Sequence, residues 1–174
     1  SLFERPMLRE LCRHAPGPRL LDLGCGTGQP LGGWLATHGF RVTGIDGSAE
    51  MVRHFNRDQT GARALRADMR NLRLGRQFDA ILAWNSFFHL SHAAQAAMFD
   101  VFRRHAAPRA VLVFSSGPAF GTAIGEVDGA PVFHASFSPL QYRRMLRGAG
   151  FRVLGFFPED KGVNGHTWWL CQRA

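Results

Sequence analysis

Lysine is almost missing from this 174-residue chain, Lys161 being alone among 21 Lys and Arg residues. The other cations are arginines scattered from Arg5 to Arg173 in a background rich in Ala and Gly. The formal charge of +8 therefore reads as compositional bias rather than as the clustered cations with which a protein displaces counterions from phosphates. Arg143, Arg144 and Arg147 form a local group, which a solvated helix face explains as well as a patch does. Cysteine is also sparse. Cys12, Cys25 and Cys171 are odd in number and lie far apart with no C-x-x-C spacing, which argues against a disulfide framework and a zinc site. Apolar runs such as Ala110 to Phe114 fall far short of the roughly 18 residues of a membrane helix, and no charged-then-apolar leader opens the sequence. The expectation is a soluble, cytoplasmic protein with no membrane partner and no metal. Repeats, linkers and low-complexity tracts are absent as well.

What is present starts at Leu20. Leu20 to Gly28 read Leu-Leu-Asp-Leu-Gly-Cys-Gly-Thr-Gly, an apolar strand running into three alternating glycines with Asp22 just before them. Gly24, Gly26 and Gly28 can take positive φ and let a ligand approach bare backbone, while free amides at the next helix start attract negative charge. Such a turn is a floor for a nucleotide-like ligand. A dinucleotide loop would place a third glycine where Gln29 stands, and would bring a pyrophosphate beside Asp22, where a second anion is unwelcome. S-adenosylmethionine fits better, because it has no phosphate and carries a carboxylate, an ammonium and a sulfonium.

With 45% hydrophobic residues the chain can bury one sizeable core, so residues 1–174 are read as a single domain. Apolar periodicity predicts strands at Leu20–Leu23, Arg41–Ile45, Ala64–Ala67, Asp79–Trp84 and Ala110–Ser115, with helices at Leu2–His14, Pro30–His38, Ala49–Arg57 and Ser91–His105. Residues 1–16 make an N-terminal helix closed by Pro16-Gly17-Pro18, and Pro30 suits a first helical position. Ser138 and Gln141 form a capping box for a helix reaching Arg147, ended by Gly148-Ala149-Gly150. Phe151–Phe157 and Thr167–Gln172 close the chain as a strand pair joined by a Gly-rich loop. Alternating strands and helices dictate a mainly parallel sheet with right-handed crossovers.

At these residues the chain resembles the class I S-adenosylmethionine-dependent methyltransferases, Leu20–Gly28 being similar to their motif I and the order of elements to their fold. The resemblance implies a Rossmann-like α/β three-layer sandwich whose seven-stranded sheet is parallel except for an inserted antiparallel last strand. It implies a cofactor set of Asp22, Gly24, Cys25, Gly26 and Gly28 at the first crossover, then Asp46 and Gly47 at the end of the second strand. Asp46 lies about twenty residues after the glycines, the position from which a carboxylate takes ribose hydroxyls. Ser48 is the better cap for the helix that follows. By the same resemblance Asp68 would accept from the adenine amino group, Met69 would read the ring through its amide, and Met51 would pack on adenine. Trp84 and Asn85, ending the fourth strand, would pass beside the methionyl part.

The stretch Ala83-Trp84-Asn85-Ser86-Phe87-Phe88-His89 lacks the Asn/Asp/Ser-Pro-Pro-aromatic motif of enzymes that methylate base amino groups, and the chain has no Pro-Cys pair for cytosine C5 attack. The favoured reading is thus methyl transfer to a small-molecule acceptor. RNA or DNA methylation and an NAD(P)-dependent oxidoreductase are the alternatives. Methyl transfer is an in-line displacement that asks mainly for alignment and exclusion of water, with a base helping a protonated acceptor. His89 and His134 are the candidate bases, His166 and Tyr142 weaker ones. Residues 117–137 exceed an ordinary connection and read as a substrate lid, with Asp128-Gly129 as a hairpin turn that brings Glu126 and His134 toward the pocket mouth. Phe120, Phe133 and Phe137 hint at an apolar or planar acceptor, shaped also by the first helix.

Overall fold

Apolar strands punctuated by amphipathic helices present a sheet with two faces to cover, and the chain covers both. The computed structural model describes residues 1–174. In order it forms α1 (Arg5–His14), β1 (Arg19–Leu23), α2 (Leu31–Thr37), β2 (Arg41–Asp46), α3 (Ala49–Asp58), β3 (Ala62–Arg66), β4 (Phe78–Ala83), α4 (His92–His105), β5 (Ala106–Ser116), β6 (Gly121–Val127), β7 (Ala130–Ser136), α5 (Pro139–Gly148), β8 (Phe151–Asp160) and β9 (His166–Arg173). Seven strands make one sheet in the order β3-β2-β1-β4-β5-β9-β8. β1 pairs parallel with β2 and with β4, Leu21 facing Thr43 on one side and Ile81 on the other. β9 runs antiparallel to both β5 and β8, so it alone opposes the rest. Strand order reverses at β1 and β4, where open parallel sheets bind ligands beyond their carboxyl ends.

β4 reads Phe-Asp-Ala-Ile-Leu-Ala and is buried along its whole length because its alternate residues serve two cores. Ile81 and Ala83 join Phe87, Phe102, Tyr142 and Leu146 under α4 and α5. Ala80, Leu82 and Trp84 join Met7, Leu11, Leu35 and Phe55 under α1, α2 and α3. The result is the expected three-layer α/β sandwich.

Serine hydroxyls start the helices as local chemistry demands. Ser48 Oγ accepts from the Met51 amide, and Ser91 Oγ from Ala94. Ser138 and Gln141 close a reciprocal capping box. Boundaries shift where tertiary contacts intervene. α1 begins at Arg5 rather than Leu2, because Leu2–Glu4 form a turn whose Leu2 carbonyl accepts from Arg5. Pro30 caps α2 instead of opening it, since the Gly33 amide reaches back to the Gly28 carbonyl at 2.8 Å and delays the regular helix to Leu31. β5 begins at Ala106 rather than Ala110, its first residues pairing with Phe78 across a bulge.

β6 and β7 form a separate two-stranded sheet, not part of the main one. Their turn is Asp128-Gly129 with φ of 51° and 81°, the left-handed pair whose twist suits a tight hairpin. No helix is long and apolar enough to cross a membrane.

Candidate functional site

The three glycines after β1 do different work. Gly24, Gly26 and Gly28 have φ of 77°, 56° and 83°. A Cβ on Gly24 would lie 2.4 Å from Ser86 Cβ, and one on Gly28 would lie 2.7 Å from the Phe55 ring, so both positions are closed by packing. A Cβ on Gly26 would meet nothing within 4 Å. Only the middle glycine therefore presents bare backbone to open space.

Hydrogen bonds hold this turn against its neighbours. The amides of Gly24 and Cys25 donate to the Ile45 carbonyl at 2.8 and 3.0 Å, and Ser86 Oγ donates to the Leu23 carbonyl at 2.7 Å. Asp46 Oδ2 accepts from the Gly26 amide at 2.9 Å and Oδ1 from the Ser48 amide at 2.9 Å. Each carboxylate oxygen keeps a further acceptor site. Asp22 lies buried beneath, and no hydrogen bond stabilises its carboxylate. Burial, and then the charge of Asp46, push its carboxyl up to about 7. The same burial and the same two carboxylates drive the Cys25 thiol upward, so it stays protonated. Cys25 serves packing, with Sγ 2.6 Å from where a Gly44 Cβ would stand.

Around the open floor, Met69 Cε lies 3.4 Å from the position of a Gly24 Cβ, and a Cβ on Gly47 would meet nothing within 4 Å. Met51 is exposed one turn into α3. Asp68, next to Met69, is engaged locally. It is exposed, accepts from the Arg70 amide at 2.9 Å, and is gripped by the Arg70 guanidinium at 2.6 Å, which holds its carboxyl below the usual range.

The end of β4 joins this floor to a cavity. Ser86 packs on Gly24, while Asn85 next to it lines a space of about 870 Å³. Asn85 has φ 52° and donates its amide to Ser115 Oγ at 2.7 Å. Trp84, buried with an unpartnered Nε1, stacks on His166 at 5.2 Å, and Phe3 covers the other face of that imidazole at 5.4 Å. His166 lines the cavity, with Nδ1 3.0 Å from the Val163 carbonyl.

His89 and His134 face each other across the cavity wall at 4.9 Å between ring centroids, with Phe88 4.6 Å from each. His89 Nδ1 lies 3.1 Å from the Phe133 carbonyl. A carbonyl only accepts, so Nδ1 carries the hydrogen and Nε2 keeps a free lone pair. His134 Nε2 is buried without a partner, and burial together with His89 holds this imidazole toward its neutral form. Beneath the hairpin, buried Gln95 donates to the Leu90 and Ala135 carbonyls at 3.0 and 2.7 Å and accepts from Tyr142 Oη at 2.7 Å. This tie anchors β7 to α4 and α5.

Other candidates fall elsewhere. Glu126 is exposed and pairs with Pro131, away from the cavity lining. Tyr142 is spent in the core. Phe120 and Phe133 are 61% and 40% exposed, Phe137 packs on Tyr142, and none of the three lines the cavity. The cavity wall combines Ser, Thr, Asn and His side chains with Phe88, Val127 and alanines, so the aromatic that lines it is Phe88 rather than Phe120, Phe133 or Phe137. No residue of α1 lines it, and the turn before that helix reaches it through Phe3 on His166. Residues missed in the sequence are Ser115 and Ser116 at the end of β5, and Glu159, Asn164 and Thr167 around the β8–β9 turn. One signal was available. Because β9 is the inserted antiparallel strand, the β8–β9 turn must lie at the same sheet edge as the carboxyl ends of β1, β4 and β5.

A sequence profile described as "Methyltransferase domain" matches residues 20–109. The chain belongs to the class I S-adenosylmethionine-dependent methyltransferase family. The dTDP-3-amino-3,6-dideoxy-alpha-D-glucopyranose N,N-dimethyltransferase of Streptomyces fradiae is 36% identical over 167 residues, and the alignment covers 88% of this chain. The chain spans 63% of that relative's length. Among solved structures, the methyltransferase fold matches an amino pentose methyltransferase from Micromonospora echinaspora involved in calicheamicin biosynthesis, with TM-score 0.77 and 19% identity over 99% of this chain and 90% of that one. It matches a S-adenosylmethionine-dependent methyltransferase from Clostridium acetobutylicum with TM-score 0.79 and 14% identity over 99% and 91%.

Proposed function

We propose that this chain transfers a methyl group from S-adenosylmethionine to the amino nitrogen of a small, hydroxyl-bearing acceptor of the amino sugar class. The observation that carries the reading is the Asn85-Ser86 junction: Ser86 closes the glycine turn, and Asn85 opens into the cavity that holds His89 and His134. The name of the Streptomyces fradiae enzyme supports an amino sugar nitrogen as the acceptor, and that of the Micromonospora echinaspora enzyme supports an amino sugar. We take residues 1–174 as one catalytic domain and the β6–β7 hairpin as a lid over its acceptor cavity.

The residues present suit the cofactor. Open space over Gly26 and Gly47 leaves room for a nucleoside against bare backbone, and the spare acceptor sites on Asp46 suit ribose hydroxyls. Buried, donor-free Asp22 is a place for a cation. Adenine contacts would fall to Met51 and Met69, with the Trp84 and Asn85 backbone along the methionyl part; Asp68 would first have to release Arg70. S-adenosylmethionine supplies a methyl on a sulfonium, so transfer breaks that S–C bond, forms the acceptor N–C bond and leaves a thioether. The acceptor's ammonium must lose a proton before its lone pair can attack. His89 Nε2 is positioned to take that proton, with neutral His134 beside it. Ser115 and Thr167, whose hydroxyl oxygens accept from the Asn85 and Glu159 amides, keep their hydroxyl hydrogens for a polar acceptor. The two alternatives find less support, because no Arg or Lys lines the cavity for a nucleic acid and buried Asp22 opposes a dinucleotide's diphosphate.

Calorimetry with S-adenosylhomocysteine tests the cofactor, and methylated product from an amino sugar panel tests the acceptor. Tight S-adenosylhomocysteine binding with N-methylated product is expected. Folded protein that binds no S-adenosylhomocysteine refutes the assignment.

A further inference from the structure

The acceptor cavity has the opposite charge character to the chain around it. The sequence carries 21 Lys and Arg against 13 Asp and Glu, yet no Arg or Lys lines the cavity, and its one carboxylate is Glu159. We propose that Glu159 selects the acceptor by charge, holding a protonated amine at the cavity mouth, and that the part of the acceptor inside the cavity carries no phosphate. This rests on the methyltransferase reading above and deepens it.

Backbone geometry sets Glu159 there. The β8–β9 register shifts between Phe157 and Asp160, and Glu159 within this bulge has φ 43°. Bulges turn a side chain away from the alternation of its strand, and they recur beside functional sites. The Glu159 amide donates to Thr167 Oγ1 at 3.0 Å, so the left-handed conformation is held from across the turn. The adjacent carboxylate is already committed: Asp160 accepts from Trp168 Nε1 and from the Gly162 amide, both at 2.9 Å. Glu159 takes part in none of the chain's ion pairs. A residue other than glycine kept at positive φ, with the one uncommitted carboxylate at a cavity whose other polar side chains are hydroxyls, amides and imidazoles, is arranged to meet a cation.

The chemistry agrees. An amine arrives as ammonium, which a carboxylate attracts and a row of imidazoles does not. Deprotonation toward His89 follows once the amine is seated. A phosphate in the same space would meet Glu159 and no cation.

Three probes test this on protein loaded with S-adenosylhomocysteine: glucosamine, glucosamine 6-phosphate and glucose, measured by calorimetry and saturation-transfer NMR. Glucosamine should bind best, with no gain from its phosphate. Glu159→Gln should weaken glucosamine about tenfold at low salt, the loss shrinking as ionic strength rises, and should leave glucose unchanged. Glu159→Gly should lose the same affinity while keeping or raising Tm, because glycine is at ease at that φ. Undiminished glucosamine binding in Glu159→Gln, tighter binding of the phosphorylated sugar, or no amine binding to the wild type overturns the proposal. S-adenosylhomocysteine binding separates the two readings: intact, it leaves the methyltransferase assignment standing, and absent from the wild type, it removes both.

Discussion

The Gly26 amide donates to the Asp46 carboxylate across twenty residues of sequence, at 2.9 Å. Through that bond the loop after β1 takes its shape from the end of β2, and one carboxylate serves both as a strut and as a ligand site. Asp46→Ala removes the acceptor for Gly26 and for Ser48 together. Charge-assisted bonds of this kind contribute about 1.5–3 kcal/mol each. S-adenosylhomocysteine affinity should fall by about 100-fold in Asp46→Ala, with a lower Tm, and by less in Asp46→Asn, which keeps one carbonyl acceptor. Calorimetry and thermal melts on the two variants check this.

Asp22 gives the free protein a pH signature. Its folded carboxyl is pushed up to about 7, above the roughly 3.9 of an unfolded aspartate. The folded state therefore binds the extra proton between those values, so this group's contribution is fully present below about pH 4 and lost as pH rises through 7. Asp22→Asn, which cannot ionise, should raise Tm of the cofactor-free protein at pH 8, each kcal/mol regained adding about 2–4 °C in a chain this size. A cationic ligand favours the ionised form. S-adenosylhomocysteine affinity should accordingly climb from pH 6 to 8 in the wild type and stay flat and weak in Asp22→Asn. An equally flat wild-type profile contradicts the assignment.

Gly28 and Gly26 should fail in different ways. Gly28→Ala forces a methyl to 2.7 Å from Phe55 at φ 83°, and should cost about 2–4 kcal/mol of stability, partly recovered in the Phe55→Leu background. Gly26→Ala meets nothing within 4 Å, so it should fold with a loss near 1 kcal/mol and still bind S-adenosylhomocysteine poorly, because its methyl occupies the ligand's floor. Chemical denaturation alongside calorimetry distinguishes the two.

His89 is set up to accept a proton, its Nδ1 hydrogen directed at the Phe133 carbonyl. His89→Ala should lower kcat by about 10² to 10⁴ toward an amino sugar acceptor while S-adenosylhomocysteine affinity stays within twofold. His134→Ala should lower it less. Steady-state kinetics with thioether detection reads both, and an unchanged kcat in His89→Ala removes the base role.

Much of this arrangement is legible in the sequence. Leu20–Gly28 announces strand, turn and ligand floor in nine residues because glycine spacing and one carboxylate act locally. Ser48 and Ser138 mark helix starts for the same reason, a hydroxyl reaching an amide three residues on. Asp128-Gly129 marked the hairpin, whose twist needs two left-handed residues. Other assignments had no local signal. Glu126 and His134 were both expected near the pocket mouth, and only packing separates the exposed carboxylate from the imidazole at the cavity.

Residue order along the chain, then, dictated the parallel sheet and the phosphate-free character of the crossover, since those follow from periodicity, glycine freedom and charge within a few residues, while the reversed last strand was implied by the family resemblance. Tertiary structure decided which side chains share the acceptor space. Ser115, His134 and Glu159 come from β5, β7 and β8, and nothing short of the assembled sheet edge brings them together. Burial also shifts Asp22 toward its protonated form, because water is largely excluded from its carboxylate only in the folded chain.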